Sequence, residues 1–436
     1  MTSGVRNLAK WVTPHPVVGK SSEVLRKETE DVLDDIIRGL TSAPEMEVKE
    51  SEAVSPTIEI KGTDYFDASE KFNHYFLKER WGDGLPLFPP TRDKVDWMLT
   101  GTDRSSDEVV VKTRPSGRAA TVEAIAINAV MAGAIPAYLP VIITALEAWD
   151  ECAWGWGSVT TTSPAAPLVV VNGPIAKQLD INSKGNATGY GWRANTTIGR
   201  TIELVFNTIG GTEPGYTDMS IMGCSSTITS TVMSENEDVL HDIGWKTYAE
   251  LQGFQKDANV LSIVPAFWGF KEIWIKANSA EDLLESLIWE LDNKGREGLM
   301  DWVGGTWLFL CPEHARILAQ DGWTKEKVMD YLSSTLPRYY CFPKGKLRTI
   351  FKEAYSRATE ITKMMPDNAL ISGYSAEASD YKIFVVGGAG NESQNWGVGA
   401  PFHPDFVSRE IKVPGNWSEI LEKSEIMTMP MPKLPW

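Results

Sequence analysis

Cysteine is scarce in this chain, and the few residues present are far apart. Cys152, Cys224, Cys311 and Cys341 make four in 436 residues, with no C-x-x-C pair and no zinc-ribbon spacing. That spacing excludes a disulfide scaffold and points to reduced thiols in a cytoplasmic setting. Basic runs are also missing. The formal charge is −16, and a nucleic-acid groove or an anionic membrane surface needs a basic footprint, so neither is expected as a partner. No apolar run reaches the length that spans a bilayer. The opening MTSGVRNLAKWVTPHPVVGK lacks the apolar core of a secretory signal. Complete cofactor fingerprints, a Ser-His-Asp motif and a metal-ligand pattern are absent too, so the sequence names no cofactor and no metal site.

What is present is the balance of a soluble globular protein, with 42% apolar and 23% charged residues. Seventeen Trp imply large aromatic surfaces in a core, a pocket or a subunit interface. Hydrophobic periodicity predicts an amphipathic helix over Ser21 to Leu40, followed by a polar, Pro-containing linker. Residues 1–63 therefore read as an N-terminal helical arm. Helices are expected over Tyr65 to Arg80, Thr91 to Leu99, Thr121 to Ala134 and Ala137 to Trp149, the last two apolar on nearly all sides and so buried. The Thr160-Thr161-Thr162 run is open between an edge strand and a polar-ligand loop. Leu168 to Val171 is an apolar strand, and Asn172-Gly173-Pro174 turns it into a helix.

The densest chemistry lies between Arg193 and Glu237. A helix with Ile198, Ile202, Val205, Phe206 and Ile209 on one face stops at Gly210, and a short strand is expected to break at Gly223-Cys224-Ser225-Ser226. A thiol in such a turn becomes a nucleophile when a cation or helix start lowers its pKa, and is inert when buried. Arg193 and Arg200, with free N–H groups at the helix start and Asn195 nearby, could hold an anion, or could pair with carboxylates. Glu235 is a candidate acid–base group in the acidic run that follows. Ser234 and Glu237 fit a capping box there. Asp83, between Gly82 and Gly84, either approaches a ligand or caps its own turn.

The second half repeats the order of the first: helix, strand, proline-started helix, longer helix, strand, small-residue loop. LVVVNGPIAKQL answers to WLFLCPEHARILA, and Gly223-Cys224-Ser225-Ser226 answers to Gly387-Gly388-Ala389-Gly390-Asn391, the longer helix being placed at Lys346 to Met365. The expected fold is therefore α/β: two weakly related halves, 64–245 and 246–436, an internal duplication around a shared cleft, with an extended Met/Pro-rich tail. Candidate catalytic residues are Cys224, His314, His403 and Glu235. Candidate substrate contacts are Asp83, Arg193, Asn195, Arg200, Ser225, Ser226, Gly388 and Asn391.

The runs DGLPLFPPT, TVEAIAINAVMAGA, NGPIA and IGR…GG, within Trp81 to Gly211, resemble an uncharacterised bacterial family, with weaker echoes near Pro312 and Gly387. Its members are encoded beside a small thiol or selenol protein bearing a U/C-G-S-C motif. The resemblance implies a redox or lyase-type two-component enzyme and carries over no catalytic residue. Three readings result: an oligomeric enzyme, oxidoreductase or lyase, using Cys224 on a small polar or anionic molecule, with a thiol or selenol partner; a metal- or acid/base-dependent lyase or hydrolase with Cys224 structural; and a non-catalytic binding or scaffold subunit.

Overall fold

In a computed structural model the described residues are 20–41, 58–162, 165–223, 225–291, 305–346, 363–372, 377–398, 406–424 and 426–428. The chain divides into two units, Met1–Lys61 and Gly62–Trp436. In the first, the expected single helix is two: α1 (Ser22–Glu30) and α2 (Leu33–Thr41). Ser21 caps α1 through Val24 N–H, and Asp31 closes it with its N–H on the Lys27 carbonyl.

The second unit opens with α3 (Tyr65–Lys78), α4 (Arg92–Leu99) and a small hairpin of β1 (Val109–Lys112) and β2 (Ala119–Thr121). Next come α5 (Val122–Ala132), α6 (Leu139–Glu151) and the short α7 (Gly155–Ser158). Helix α5 starts on a Thr121 cap and ends on left-handed Gly133, and both α5 and α6 are largely buried because they carry no polar face. Strand β3 (Ala165–Asn172) leads to α8 (Pro174–Gln178), α9 (Arg193–Thr208) and β4 (Thr231–Ser234). Helices α10 (Glu237–Ile243) and α11 (Tyr248–Leu251) precede the long β5 (Val260–Trp274). Then follow α12 (Ala280–Glu290), β6 (Gly305–Leu310), α13 (Pro312–Gln320) and α14 (Lys325–Tyr339). A hairpin of β7 (Cys341–Pro343) and β8 (Leu370–Ser372), then β9 (Tyr381–Val385), β10 (Glu392–Val398), β11 (Val407–Glu410) and α15 (Trp417–Lys423) complete the order.

One seven-stranded mixed sheet organises the unit, in the order β4-β3-β5-β10-β6-β9, with β11 also on β5. Strand β3 is parallel to β4 and antiparallel to β5; β6 is parallel to β9 and antiparallel to β10; β5 and β10 meet antiparallel at the centre. Each half-sheet thus has the same order and sense. The sheet is continuous across residue 245, because β5 pairs with β3 on one edge and with β10 on the other.

Alternation along the strands separates the cores. Val169, Val171, Val232, Leu261 and Ile263 pack with α5, α6 and α9, whereas Ile273, Leu308, Leu310, Ile383 and Val385 pack with α10, α12, α13 and α14. The alternate residues Leu168, Val170, Val264, Trp307, Phe309, Phe384 and Trp396 form a third, aromatic core.

Two local expectations change. No strand precedes Gly223: the chain turns at Pro214–Asp218, where Gly215 N–H reaches the Asp218 carbonyl at 2.7 Å, and Asp218 folds onto Ser220 N–H at 2.9 Å. The strand is β4, after residue 224, where Thr231–Ser234 pairs with β3. Gly223-Cys224-Ser225-Ser226 therefore precedes β4 while Gly387–Asn391 follows β9, and the two loops are not equivalent. Nor does Ser234 cap α10. Its hydroxyl donates to the Ile181 carbonyl at 2.7 Å, Glu237 accepts from Gly173 N–H at 2.7 Å, and Asn236 is the cap. The expected helix Lys346 to Met365 lies mostly outside the described residues.

Candidate functional site

Helix α9 has two faces. Ile198, Ile202, Val205 and Phe206 are buried in the core. Arg200, Glu203 and Asn207, spaced i, i+3 and i+7, form a second stripe. Gly199 lets the chain leading into β4 lie directly against the helix, because a Cβ there would stand 2.1 Å from the Ser230 carbonyl oxygen. That approach puts the Ser230 hydroxyl 2.7 Å from Glu203 Oε1, to which it donates.

The other two residues of the stripe dock the WGDGLP turn. Arg200 donates Nε to Asp83 Oδ2 at 2.6 Å, and Nη2 to Asp83 Oδ1 at 3.0 Å and to the Pro86 carbonyl at 2.9 Å. Asn207 accepts from Gly82 N–H at 2.8 Å and donates to the Thr212 carbonyl at 3.0 Å. Asp83 also accepts from Leu85 N–H at 3.0 Å, so it caps its own turn and pairs with Arg200 at once.

Between these elements lies a cavity of about 210 Å³, walled by Asp83, Glu203, Asn207, Asp218, Ser220 and Thr227 among others. Among the described residues its lining contains no Lys, Arg or His. Glu203 is half-buried as a residue, but its carboxyl group lies deep among protein atoms. Burial pushes that carboxyl up to about 8; the Ser230 donor pulls it down, and the negative charges of Asp218 and Asp83 push it further up. The Thr212 hydroxyl, also in the wall, is buried with no hydrogen-bond partner among the described residues. Among those residues no group of three His, Cys, Asp or Glu side chains is placed to hold a metal ion.

Asp83 lines this cavity, and Arg200 stands behind it. Cys224 and His403 lie outside the described residues, although Ser220 and Thr227, which bracket Cys224 in the sequence, both line the cavity. Ser225 and Ser226 begin a 3-10 turn, Ser225–Thr227, whose last residue lines the cavity. Arg193 does not join Arg200 in an anion site: its guanidinium donates to the Gly133 carbonyl at 3.0 and 3.2 Å, closing the end of α5. Asn195 is buried, bonding both the N–H and the carbonyl of Asn182 and so tying α9 to the loop before it.

Two catalytic candidates are buried. His314 is fully buried, with Nδ1 2.7 Å from Ser393 Oγ and Nε2 2.8 Å from the Ile275 carbonyl. Burial holds its pKa below the usual histidine range, and with both nitrogens engaged it joins α13 to β10 rather than serving as an open base. Glu235 pairs with buried Lys325, accepts from Tyr248 N–H at 2.7 Å, Asn172 Nδ2 at 3.0 Å and Val385 N–H at 3.2 Å, and so clamps both half-sheets. Its charge is spent on the fold.

Gly388 and Asn391 line a second cavity, of about 530 Å³, with residues 185–189 opposite. The loops touch because Gly388 has no Cβ; one added there would stand 2.9 Å from Gly185 Cα. Among the described residues the two cavities share no lining residue, and those residues do not join 223–226 and 387–391 in one cleft.

Glu203 and Asn207 are not among the sequence candidates, although Arg200 on the same stripe is. The signal is their spacing from Arg200. No family model, curated protein or solved structure matches the chain. Among the described residues no helix is long and apolar enough to cross a membrane.

Proposed function

We propose that this protein is an enzyme that moves a proton on a small polar molecule held in the Glu203 cavity, in a lyase or hydrolase reaction. One observation carries the reading: a carboxyl group with one donor among the described residues, Ser230, set in the wall of a cavity that also presents Asp83 and Asp218. A carboxyl held at about 8 keeps its proton near neutral pH and is matched to general acid–base work. Asp83, fixed by Arg200, and Asp218, fixed by Ser220, supply acceptors that orient hydroxyl or amino hydrogens of the substrate. Phe206, Leu204 and Val159 on the same wall limit water.

The test is to incubate wild type and Glu203→Gln with a pooled small-molecule extract and follow compounds by mass spectrometry. A compound consumed by wild type should persist with the variant. Wild-type turnover by Glu203→Gln sinks the assignment.

A second reading rests on Ser220 and Thr227, the cavity residues that flank Cys224 in sequence. A thiol delivered there would add nucleophilic or redox chemistry, alone or with a small thiol or selenol partner. Full turnover by Cys224→Ser removes it. The matching strand order and sense of the half-sheets support an origin by internal duplication. Exposed Tyr216, Ile221 and Met222 support contact with another subunit, and Cys152 and Cys311, thiols rather than disulfides, support a reducing, cytoplasmic setting.

A further inference from the structure

The second cavity is floored by a ladder built where β5 and β10 cross the centre of the sheet. On β5, Lys271 and Ile273 face the helices: Ile273 is fully buried, and Lys271 pairs with Glu290 of α12 at 3.0 Å. Strand alternation turns Phe270, Glu272 and Trp274 to the other face. The register sets Trp274 opposite Glu392, Glu272 opposite Gln394, and Phe270 opposite Trp396.

Phe270 and Trp396 pack with ring centroids 5.1 Å apart. Gln394 is held between Trp396 Nε1 at 3.2 Å and Thr188 Oγ1 at 3.4 Å. Above this floor the loops 185–189 and 387–391 form the walls.

Two features of this floor are unspent. Trp274 is 69% exposed and Phe270 44%, both at the mouth of the cavity. Glu272 and Glu392 both line the cavity, on neighbouring same-face pairs of the β5–β10 register, and neither forms an ion pair among the described residues. Burial and the neighbouring Glu272 together raise the Glu392 carboxyl above its ordinary value. Among the described residues the lining contains no Lys, Arg or His.

Adjacent carboxyl groups repel unless they share a proton or gain a cation. The negative faces of the two exposed rings attract the same kind of charge. An anion gains nothing here, so the glycine-rich loop is not a phosphate cradle. A neutral sugar could stack on Trp274 but would leave the carboxyl repulsion in place.

We infer that this cavity binds a small organic ammonium ion, its charged head between Glu272 and Glu392 and its carbon skeleton against Trp274 and Phe270. The site is separate from the Glu203 cavity and does not depend on the reaction assigned there.

The full chain is titrated with choline chloride and with 1,5-diaminopentane, following Trp fluorescence and ligand-observed NMR, with glucose and inorganic phosphate as neutral and anionic controls. At least one cation should bind, with an affinity on the order of millimolar or better. Glu272→Gln/Glu392→Gln should weaken it at least about tenfold, and Trp274→Leu should weaken it severalfold. Circular dichroism confirms that each variant is folded; should the double variant not fold, Trp274→Leu and the controls decide. Absence of cation binding, equal binding by the folded variants, or preference for glucose or phosphate overturns the proposal.

Discussion

Lys325 and Glu235 form an ion pair whose side chains are 1% and 0% exposed, joining the start of α14 to the segment just after β4. Burial pulls the Lys325 pKa below its ordinary value, and Glu235 opposes that shift. Such a pair adds little net stability over a well-packed apolar one, but breaking it from one side strands a buried charge. Lys325→Met should therefore lower the unfolding free energy by about 3–5 kcal/mol. Adding Glu235→Gln should restore part of the loss by removing the stranded carboxylate. Urea denaturation of the three proteins measures both effects, and a fully stable single variant contradicts the account.

Gly199 makes the Glu203 site possible. With the Ser230 carbonyl 2.1 Å from where a Cβ would stand, Gly199→Ala must push α9 and the β4 entry apart. Overpacking of this kind costs about 1–3 kcal/mol. The displacement should also lengthen the Ser230–Glu203 hydrogen bond. We expect a lower Tm together with a further rise in the Glu203 pKa, because the donor that favours the charged form is weakened. Carbon-13 NMR of labelled glutamate reads the titration; an unchanged pKa would separate Gly199 from the site.

Glu203 makes stability depend on pH in a definite sense. Its folded pKa of about 8 lies above the ordinary 4.5, so below 4.5 both states hold the proton and nothing is lost. Between those values the unfolded chain releases a proton that the folded one retains, and stability falls as pH rises through the folded pKa. The slope is about 1.4 kcal/mol per pH unit across the window. Glu203→Gln has no such proton to lose. Relative to wild type it should therefore gain Tm steadily from pH 5 to pH 8, and parallel profiles over that range refute the shifted carboxyl.

Much of this architecture can be read from local sequence, and what escapes has a physical cause. Helices α5 and α6 and strand β3 are legible because continuous apolar runs leave no solvent face. Strand β5 is not: Pro265, Gly269, Lys271 and Glu272 break any alternation, and its 15 residues are held extended by β3 along one edge and by β10 and β11 along the other. The clamp of Glu235 on Lys325 spans 90 positions and leaves no local trace. Asp83 and Arg200 were each legible as candidates, but their contact, 117 positions apart, turns two site guesses into one support for the cavity.

That support yields a double-mutant cycle. The side chains of Arg200 and Asp83 are 10% and 7% exposed, and Arg200 grips both carboxylate oxygens. Asp83→Ala leaves a nearly buried guanidinium without its counter-charge and removes the acceptor for Leu85 N–H, so it should cost about 3–5 kcal/mol. Asp83→Asn keeps an acceptor for the turn but not the charge, and should cost less. Because the two side chains act as one unit, the loss from Asp83→Ala combined with Arg200→Met should fall short of the sum of the single losses by about 1–3 kcal/mol. Chemical denaturation gives all four corners of the cycle. Strictly additive losses would mean that the WGDGLP turn is held by Asn207 and its own hydrogen bonds, with the ion pair contributing nothing to the cavity wall.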